Sequence, residues 1–225
     1  MCGRFIQVAN PEKIRANLSG LEIDEAAAGV FRPRYNIAPT QDILTVLNTP
    51  TPTLTSTHWG LIPFWAKDRA VGGRMINARA ETLASKPSFR DPFRKRRCII
   101  FTDGFYEWKG KGRGKTPFFI RMKTGEPFAL AGLWDRWTDR RTGQDILSST
   151  IVTTEANALV STIHDRMPAI LEPGDYRLWL TAVPVSETAL AGCLKPLSAQ
   201  GMEAYEISGL VNSPGNDSPD CIRPV

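Results

Sequence analysis

Histidine and cysteine are both scarce in this 225-residue chain, with two of the first and four of the second. Cys2, Cys98, Cys193 and Cys221 are widely scattered and form no CxxC pair, so neither a zinc site nor a disulfide framework is indicated. Free thiols are the expectation. His58 and His164 are too few for a histidine-rich metal centre. There is no GxxxxGK[ST] phosphate loop, no GxSxG elbow and no HExxH helix, so the common NTPase, hydrolase and zinc-protease readings lose their usual support. No apolar run reaches membrane-spanning length, and the opening MCGRFIQVANPEK lacks the basic-then-apolar order of a secretory signal. The expectation is a cytoplasmic protein.

What is present is an ordinary globular composition, 42% hydrophobic and 23% charged, enough to bury a sizeable core. Lysine and arginine number 28 against 23 acids, a net charge of +5 that permits a nucleic-acid partner without requiring one. With no long linker or internal repeat, the chain reads as a single domain over 1–225, with a tail over about 212–225 that is mostly loop.

The pattern predicts many strands and few helices. Cys2 to Gln7, Ile43 to Leu47, Leu54 to Trp59, Cys98 to Thr102, Phe105 to Trp108, Phe118 to Met122, Phe128 to Trp134 and Ile146 to Thr153 read as strands. Asp103-Gly104 reads as a turn, and Phe31 to Pro39 and Lys109 to Lys115 as loops. Asn10 as N-cap and Pro11 as first residue start a short helix with Ile14 and Leu18 on one face, stopped by Gly20. Helices are also expected at Ala156 to Ile163, Pro173 to Thr181 and Glu187 to Leu194, the last capped by Ser186. Helices that do not alternate with strands argue for an α+β fold with a strongly curved, mainly antiparallel, barrel-like sheet flanked by short helices.

A cysteine directly after Met1 becomes the first residue if the initiator is removed, and then carries a free amine beside its thiol. The two nucleophiles titrate near neutrality, the amine at about 7.7–8.0 and the thiol at about 8.5. An aldehyde can condense with the amine to a Schiff base, and the thiol can close on the same carbon to give a five-membered thiazolidine. Such ring closure gains from a large effective molarity. Taken by itself, a second-position cysteine is inert by default.

Six segments change that: Met1-Cys2-Gly3-Arg4-Phe5, Arg34-Tyr35-Asn36-Ile37-Ala38-Pro39, Trp59-Gly60-Leu61-Ile62-Pro63, Ile76-Asn77-Ala78-Arg79-Ala80-Glu81-Thr82, Asp103-Gly104-Phe105-Tyr106-Glu107-Trp108 and Ile163-His164-Asp165-Arg166-Met167-Pro168. Together, and in this order, they resemble the SRAP family (SOS response-associated peptidase). The resemblance implies a DNA-damage response protein that captures abasic sites in single-stranded DNA covalently through Cys2, with a weaker abasic-site lyase activity accessible from the Schiff base. It implies Asn77, Glu107 and His164 as companions of Cys2, and Arg4 and Arg79 as phosphate holders. Pro39, Trp65 and Asn36 would belong to the DNA surface, where bases stack or the strand is wedged.

Each role has a chemical rationale beside the resemblance. Glu107 is an acid among Phe105, Tyr106 and Trp108, which suits proton transfer, although an acid paired with a nearby cation is the plain alternative. His164 stands where a helix is expected to end, able to handle imine protons or simply to cap that helix. Asn77 can donate and accept without changing charge, or merely bond a loop backbone. Arg4 and Arg79 can fork onto phosphates or sit in surface salt bridges. Trp59, Phe64, Trp65 and Trp108 interleave with cations as in a single-strand site, with most expected in the core. Arg94-Lys95-Arg96-Arg97 and the Lys109 to Lys115 loop are further candidates for DNA contact. The expected protein is a monomer without metal or organic cofactor, associated with the nucleoid when bound to DNA. Two rivals remain open: a thiol peptidase or autoprocessing enzyme using Cys2, and a non-catalytic single-strand binder.

Overall fold

Strands dominate the computed structural model, and several of them are buried on both faces. The structure describes residues 2–110, 112 and 114–225; Met1, and Lys111 and Arg113 of the basic loop, lie outside the described residues. In chain order the elements are β1 (Phe5–Gln7), α1 (Pro11–Asn17), β2 (Glu22–Ile23), α2 (Glu25–Val30), β3 (Arg34–Ile37), β4 (Asp42–Leu47), β5 (Thr53–Trp59), β6 (Asn77–Arg79), α3 (Arg90–Lys95) and β7 (Arg97–Thr102). The second half adds β8 (Gly104–Lys109), β9 (Thr116–Met122), β10 (Phe128–Thr138), β11 (Asp145–Glu155), β12 (Arg166–Pro168), β13 (Ile170–Leu171), α4 (Tyr176–Leu180), α5 (Glu187–Gly192) and β14 (Met202–Glu206).

Among the described residues these strands make two sheets. One is antiparallel in the order β14-β9-β8-β1-β3. The other runs β12-β11-β10-β7-β4-β5-β2, and β5 also pairs with β11 in parallel at Ser148↔His58 and Ser149↔Trp59. That pairing joins β11, β10, β7, β4 and β5 into a closed ring, a barrel whose strands leave no open edge there. The α+β expectation with a curved, barrel-like sheet therefore holds, with three parallel pairings (β5–β11, β6–β11 and β2–β5) in the otherwise antiparallel second sheet.

β7 is buried along its whole length because both of its faces are covered. Ile99 and Phe101 point to a cluster with Val46, Leu133 and Trp179, while Ile100 between them joins Phe5, Trp59 and Leu130 on the other side. Asp103-Gly104 does not fold β7 back on β8 as a hairpin. The chain crosses there from one sheet to the other, and the Asp103 carboxylate accepts the Val8 and Ala9 N–H groups at 2.7 and 3.0 Å, tying the crossing to the end of β1.

The first helix forms as expected, with Asn10 Oδ1 accepting the Lys13 N–H at 2.8 Å and Ile14 and Leu18 buried. Ser186 caps α5 in the same way. Two expectations fail. Phe31 to Pro39 contains a strand, β3, and Ala156 to Ile163 contains only a 3-10 turn at Val160–Thr162. The tail is loop broken by short turns at Gly209–Asn212 and Pro219–Ile222, and it packs down, burying Val211 and Cys221.

Candidate functional site around Cys2

β1 lies between β3 and β8, with Phe5 opposite both Ile37 and Phe105. Cys2 precedes this strand and is fully buried, sharing an apolar cluster with Phe5, Trp59, Phe105 and Val160. Glu107 stands two residues after Phe105 on β8 and so projects from the same face of the sheet. The residue is 3% exposed. Burial first, and the Glu107 charge second, push the Cys2 thiol far above its ordinary range.

Asn77 arrives from the other sheet. It opens β6, which runs parallel to β11 with Asn77 opposite Ile151, and its Nδ2 donates to the Cys2 carbonyl at 2.8 Å. Its Oδ1 is buried and accepts no hydrogen bond among the described residues. An amide held by its donor end with its acceptor end unused is suited to receive an N–H from a ligand or from a freed amine. The approach of Asn77 depends on the Trp59-Gly60 corner, where the Trp59 ring donates to the Ile76 carbonyl at 3.0 Å. Gly60 has φ of 136°, and a side chain there would sit 2.6 Å from the Gly72 carbonyl oxygen, so only glycine permits this contact.

His164 follows the 3-10 turn, so no α-helix ends beside it and the expected helix-terminus effect is absent. Val160 and Ile163 of that turn pack on the Cys2 cluster. His164 Nδ1 accepts the Arg166 N–H at 2.9 Å and lies 2.9 Å from an Asp165 carboxylate oxygen. The two contacts demand opposite proton states at Nδ1. Asp165 is 87% exposed, so water competes for that contact. Asn77 thus bonds Cys2 directly, Glu107 acts on it electrostatically, and the turn before His164 packs on the same cluster.

The proposed DNA-facing residues divide. Trp65 is 47% exposed and Phe64 57%, while Trp59 is buried and Trp108 lies under the Arg4 guanidinium, 5.9 Å from its ring centre. Arg79 is exposed at the end of β6, and Pro39 is half-buried beside Thr40, a β-branched residue strained at φ of 70°. Arg4 is half-buried, with Nη1 donating to Asn36 Oδ1 and to the Val211 carbonyl, both at 2.7 Å; burial draws its pKa down.

Asn36 needs correction as a DNA contact. It is fully buried, and its Nδ2 donates to the carbonyls of Val211, Ser213 and Asn216 at 3.2, 2.9 and 2.7 Å, so it fastens the tail and orients Arg4. The basic run at residues 94–97 divides, with Arg94 and Lys95 exposed and Arg96 and Arg97 turned to structural use. Arg97 is buried and donates to the carbonyls of Phe93, Arg94, Trp179 and Thr181, Arg96 pairs with Asp135, and Arg94 with Glu187.

With this geometry in hand, comparison with known proteins is direct. The family profile described as SOS response associated peptidase (SRAP) matches residues 1–214. This chain belongs to the SRAP family. It is 44% identical to the Abasic site processing protein YoqW of Bacillus subtilis (strain 168), over 99% of each chain. It is 32% identical to the Abasic site processing protein YedK of Escherichia coli (strain K12), over the full length of both. A crystal structure of a protein from Bacteroides thetaiotaomicron superposes with a TM-score of 0.89, at 32% identity and full coverage of both chains.

Two residues of this SRAP chain carry structural weight that their sequence context did not announce. Arg166 forks onto Glu81 at 2.7 and 3.0 Å and donates to the Thr153 carbonyl at 2.7 Å, clamping the segment after His164 to the segment after Asn77. The guanidinium holds the Glu81 carboxyl below its usual range. Both stand in the motifs that carry the resemblance, so the signal was their opposite charge in two segments that also contain site residues. The four cysteines are free, as expected. Among the described residues no cluster fits a metal, and no helix is long and apolar enough to cross a membrane.

Proposed function

We propose that this protein processes abasic sites by capturing them covalently in single-stranded DNA, through Cys2 after removal of Met1. The observation that carries this reading is the convergence on Cys2 of Asn77, from one sheet, and the buried carboxyl of Glu107, from the other. The names of the relatives agree with it. The freed Cys2 amine attacks C1′ of the ring-opened sugar, whose aldehyde oxygen leaves as water, giving a Schiff base. The thiol then adds to the same carbon, its proton passes to nitrogen, and a thiazolidine closes. Glu107 assists ring opening by moving a proton at the sugar oxygen, and His164 manages the imine proton. Asn77 Oδ1 is the acceptor that orients the amine. Arg4 and Arg79 hold phosphates, and Trp65 and Pro39 meet the bases. From the Schiff base, β-elimination of the 3′ phosphate gives a weaker lyase activity.

The raised thiol pKa bears on the rivals. A thiol peptidase works through a thiolate. In the chain that still carries Met1, burial and Glu107 oppose the thiolate, surroundings unlike those that activate a peptidase thiol. The test is incubation with single-stranded DNA bearing an abasic site, followed by denaturing gel and intact mass. An adduct in wild type that vanishes in Cys2→Ala, and in a form that retains Met1, is expected. DNA binding without any adduct would instead support a plain single-strand binder, and cleavage of added peptides a peptidase.

A further inference from the structure

Away from Cys2, the β10–β11 hairpin and the loop carrying Trp65 enclose a cleft of about 360 Å³. Lys67 and Arg69 line one wall and Arg140 and Arg141 the other, all four exposed. Two acids share the lining, and both are committed to the backbone. Asp68 caps the following 3-10 turn by accepting the Ala70 N–H at 3.0 Å. Asp139 accepts the Arg141 N–H at 2.8 Å, which holds its carboxyl below the ordinary range, and the Arg141 guanidinium lies 3.7 Å away. Four cations against two such acids leave a net positive cleft.

The walls are stapled together. Trp137, buried at the base, donates from its ring nitrogen to the Ala66 carbonyl at 2.7 Å, and the Phe64 N–H bonds the Asp135 carboxylate at 3.0 Å. The exposed rings of Phe64 and Trp65 stand just before Lys67 in the loop, with the buried Ala66 between, and the Arg69–Arg74 turn leads from the cleft to Asn77. Flat aromatic faces continuing into a cationic cleft are the combination that tracks a nucleic-acid strand, with bases stacked and phosphates neutralised.

We propose that this cleft binds phosphodiester groups of the DNA strand beyond the nucleotide held at Cys2. The proposal rests on the DNA-processing reading above and adds a second anchor to it. It also makes the captured strand pass over Trp65 before its backbone reaches Arg140 and Arg141.

The test uses the full chain and binding of undamaged single-stranded oligonucleotides of 4 and 20 nucleotides, followed by fluorescence anisotropy across a salt series. For the longer strand, R140A/R141A is expected to weaken binding roughly tenfold near 0.1 M salt and to lower the salt slope by about 1.4, from about 0.7 per phosphate contact. Binding of the short strand should be unchanged. K67A/R69A, on the opposite wall, should repeat the pattern. R15A/R223A removes the same charge elsewhere and should leave the slope intact. An unchanged slope in both cleft variants, with unfolding transitions like wild type, overturns the proposal. So does a cleft variant that loses affinity only for inorganic pyrophosphate, which would make this a small-anion site. Because undamaged DNA forms no adduct, these outcomes are independent of whether Cys2 captures abasic sites.

Discussion

Cys2 and Cys98 have the same burial and opposite surroundings. Both thiols are fully buried, and burial pushes both pKa values up. Around Cys98 that is the whole story: the residue sits mid-strand in β7, its carbonyl receives the Trp179 ring N–H at 2.9 Å, and β10 packs against its sulfur. Around Cys2, two strands from different sheets deliver an amide and a carboxyl. Burial alone makes a thiol inert. The chemistry proposed for Cys2 draws on the polar partners and an amine freed by loss of Met1, which Cys98 lacks.

The sharpest way to break this comparison is to remove each sulfur in turn. Cys2→Ala is expected to abolish the adduct on abasic DNA, whereas Cys98→Ala should leave its rate within about twofold and lower stability by about 1–2 kcal/mol, as for loss of a small buried group. Adduct gels and denaturant unfolding read the two effects separately. Next come the partners that distinguish the two pockets. Glu107→Gln should slow adduct formation by about 100-fold, within the range of a lost general acid or base, and Asn77→Ala by about tenfold. Single-turnover time courses at saturating DNA measure both, and equal rates in Glu107→Gln and wild type would remove Glu107 from the chemistry.

The difference between the two cysteines was partly legible in the sequence. Position after Met1 and the matching motifs singled out Cys2, and alternation around Cys98 placed it in a strand. What local pattern concealed was which polar side chains face inward. The amide of Asn36 is spent on carbonyls 175 to 180 residues away, and Arg97, in a run of four cations, is buried against four carbonyls. Ala156, Leu159, Val160 and Ile163 have helical spacing, yet all serve the Cys2 cluster from a chain bent at Asn157, whose Oδ1 caps Leu159 and Val160. The periodicity recorded burial correctly and the backbone wrongly. β3 escaped notice between Pro33 and Pro39 because its support is distant: pairing with β1, and Asp217 accepting the Tyr35 and Asn36 N–H groups.

Smaller effects probe the Cys98 side alone. A side chain on Gly132 would sit 2.7 Å from Cys98 Sγ and 3.0 Å from the Thr150 carbonyl oxygen. Gly132→Ala should therefore destabilise the barrel by about 1–3 kcal/mol through overpacking, with the adduct rate of the folded fraction unchanged. Combining it with Cys98→Ala, which removes the nearest obstacle, should recover part of that loss; full additivity of the two would mean the sulfur is not what resists the methyl group.

The smallest effect is a pH slope. Below about pH 8.5 the Cys98 thiol keeps its proton in both folded and unfolded chains, so stability is at its full value. Above it, the unfolded chain releases the proton while the folded chain, with its raised pKa, retains it, and stability falls as pH rises. At pH 9.5 the loss is about 1.4 kcal/mol for this thiol. Under reducing conditions, guanidinium midpoints between pH 7.5 and 9.5 should decline in wild type and less steeply in Cys98→Ala. The remaining slope includes Cys2, Cys193, whose thiol burial pushes up to about 11, and the raised hydroxyls of Tyr106, Tyr176 and Tyr205. Cys2→Ala removes the first of these as well, and identical slopes in the two single variants would mean that, as titrating groups, Cys2 and Cys98 are equivalent. The contrast between them would then reside entirely in the amine, Asn77 and Glu107.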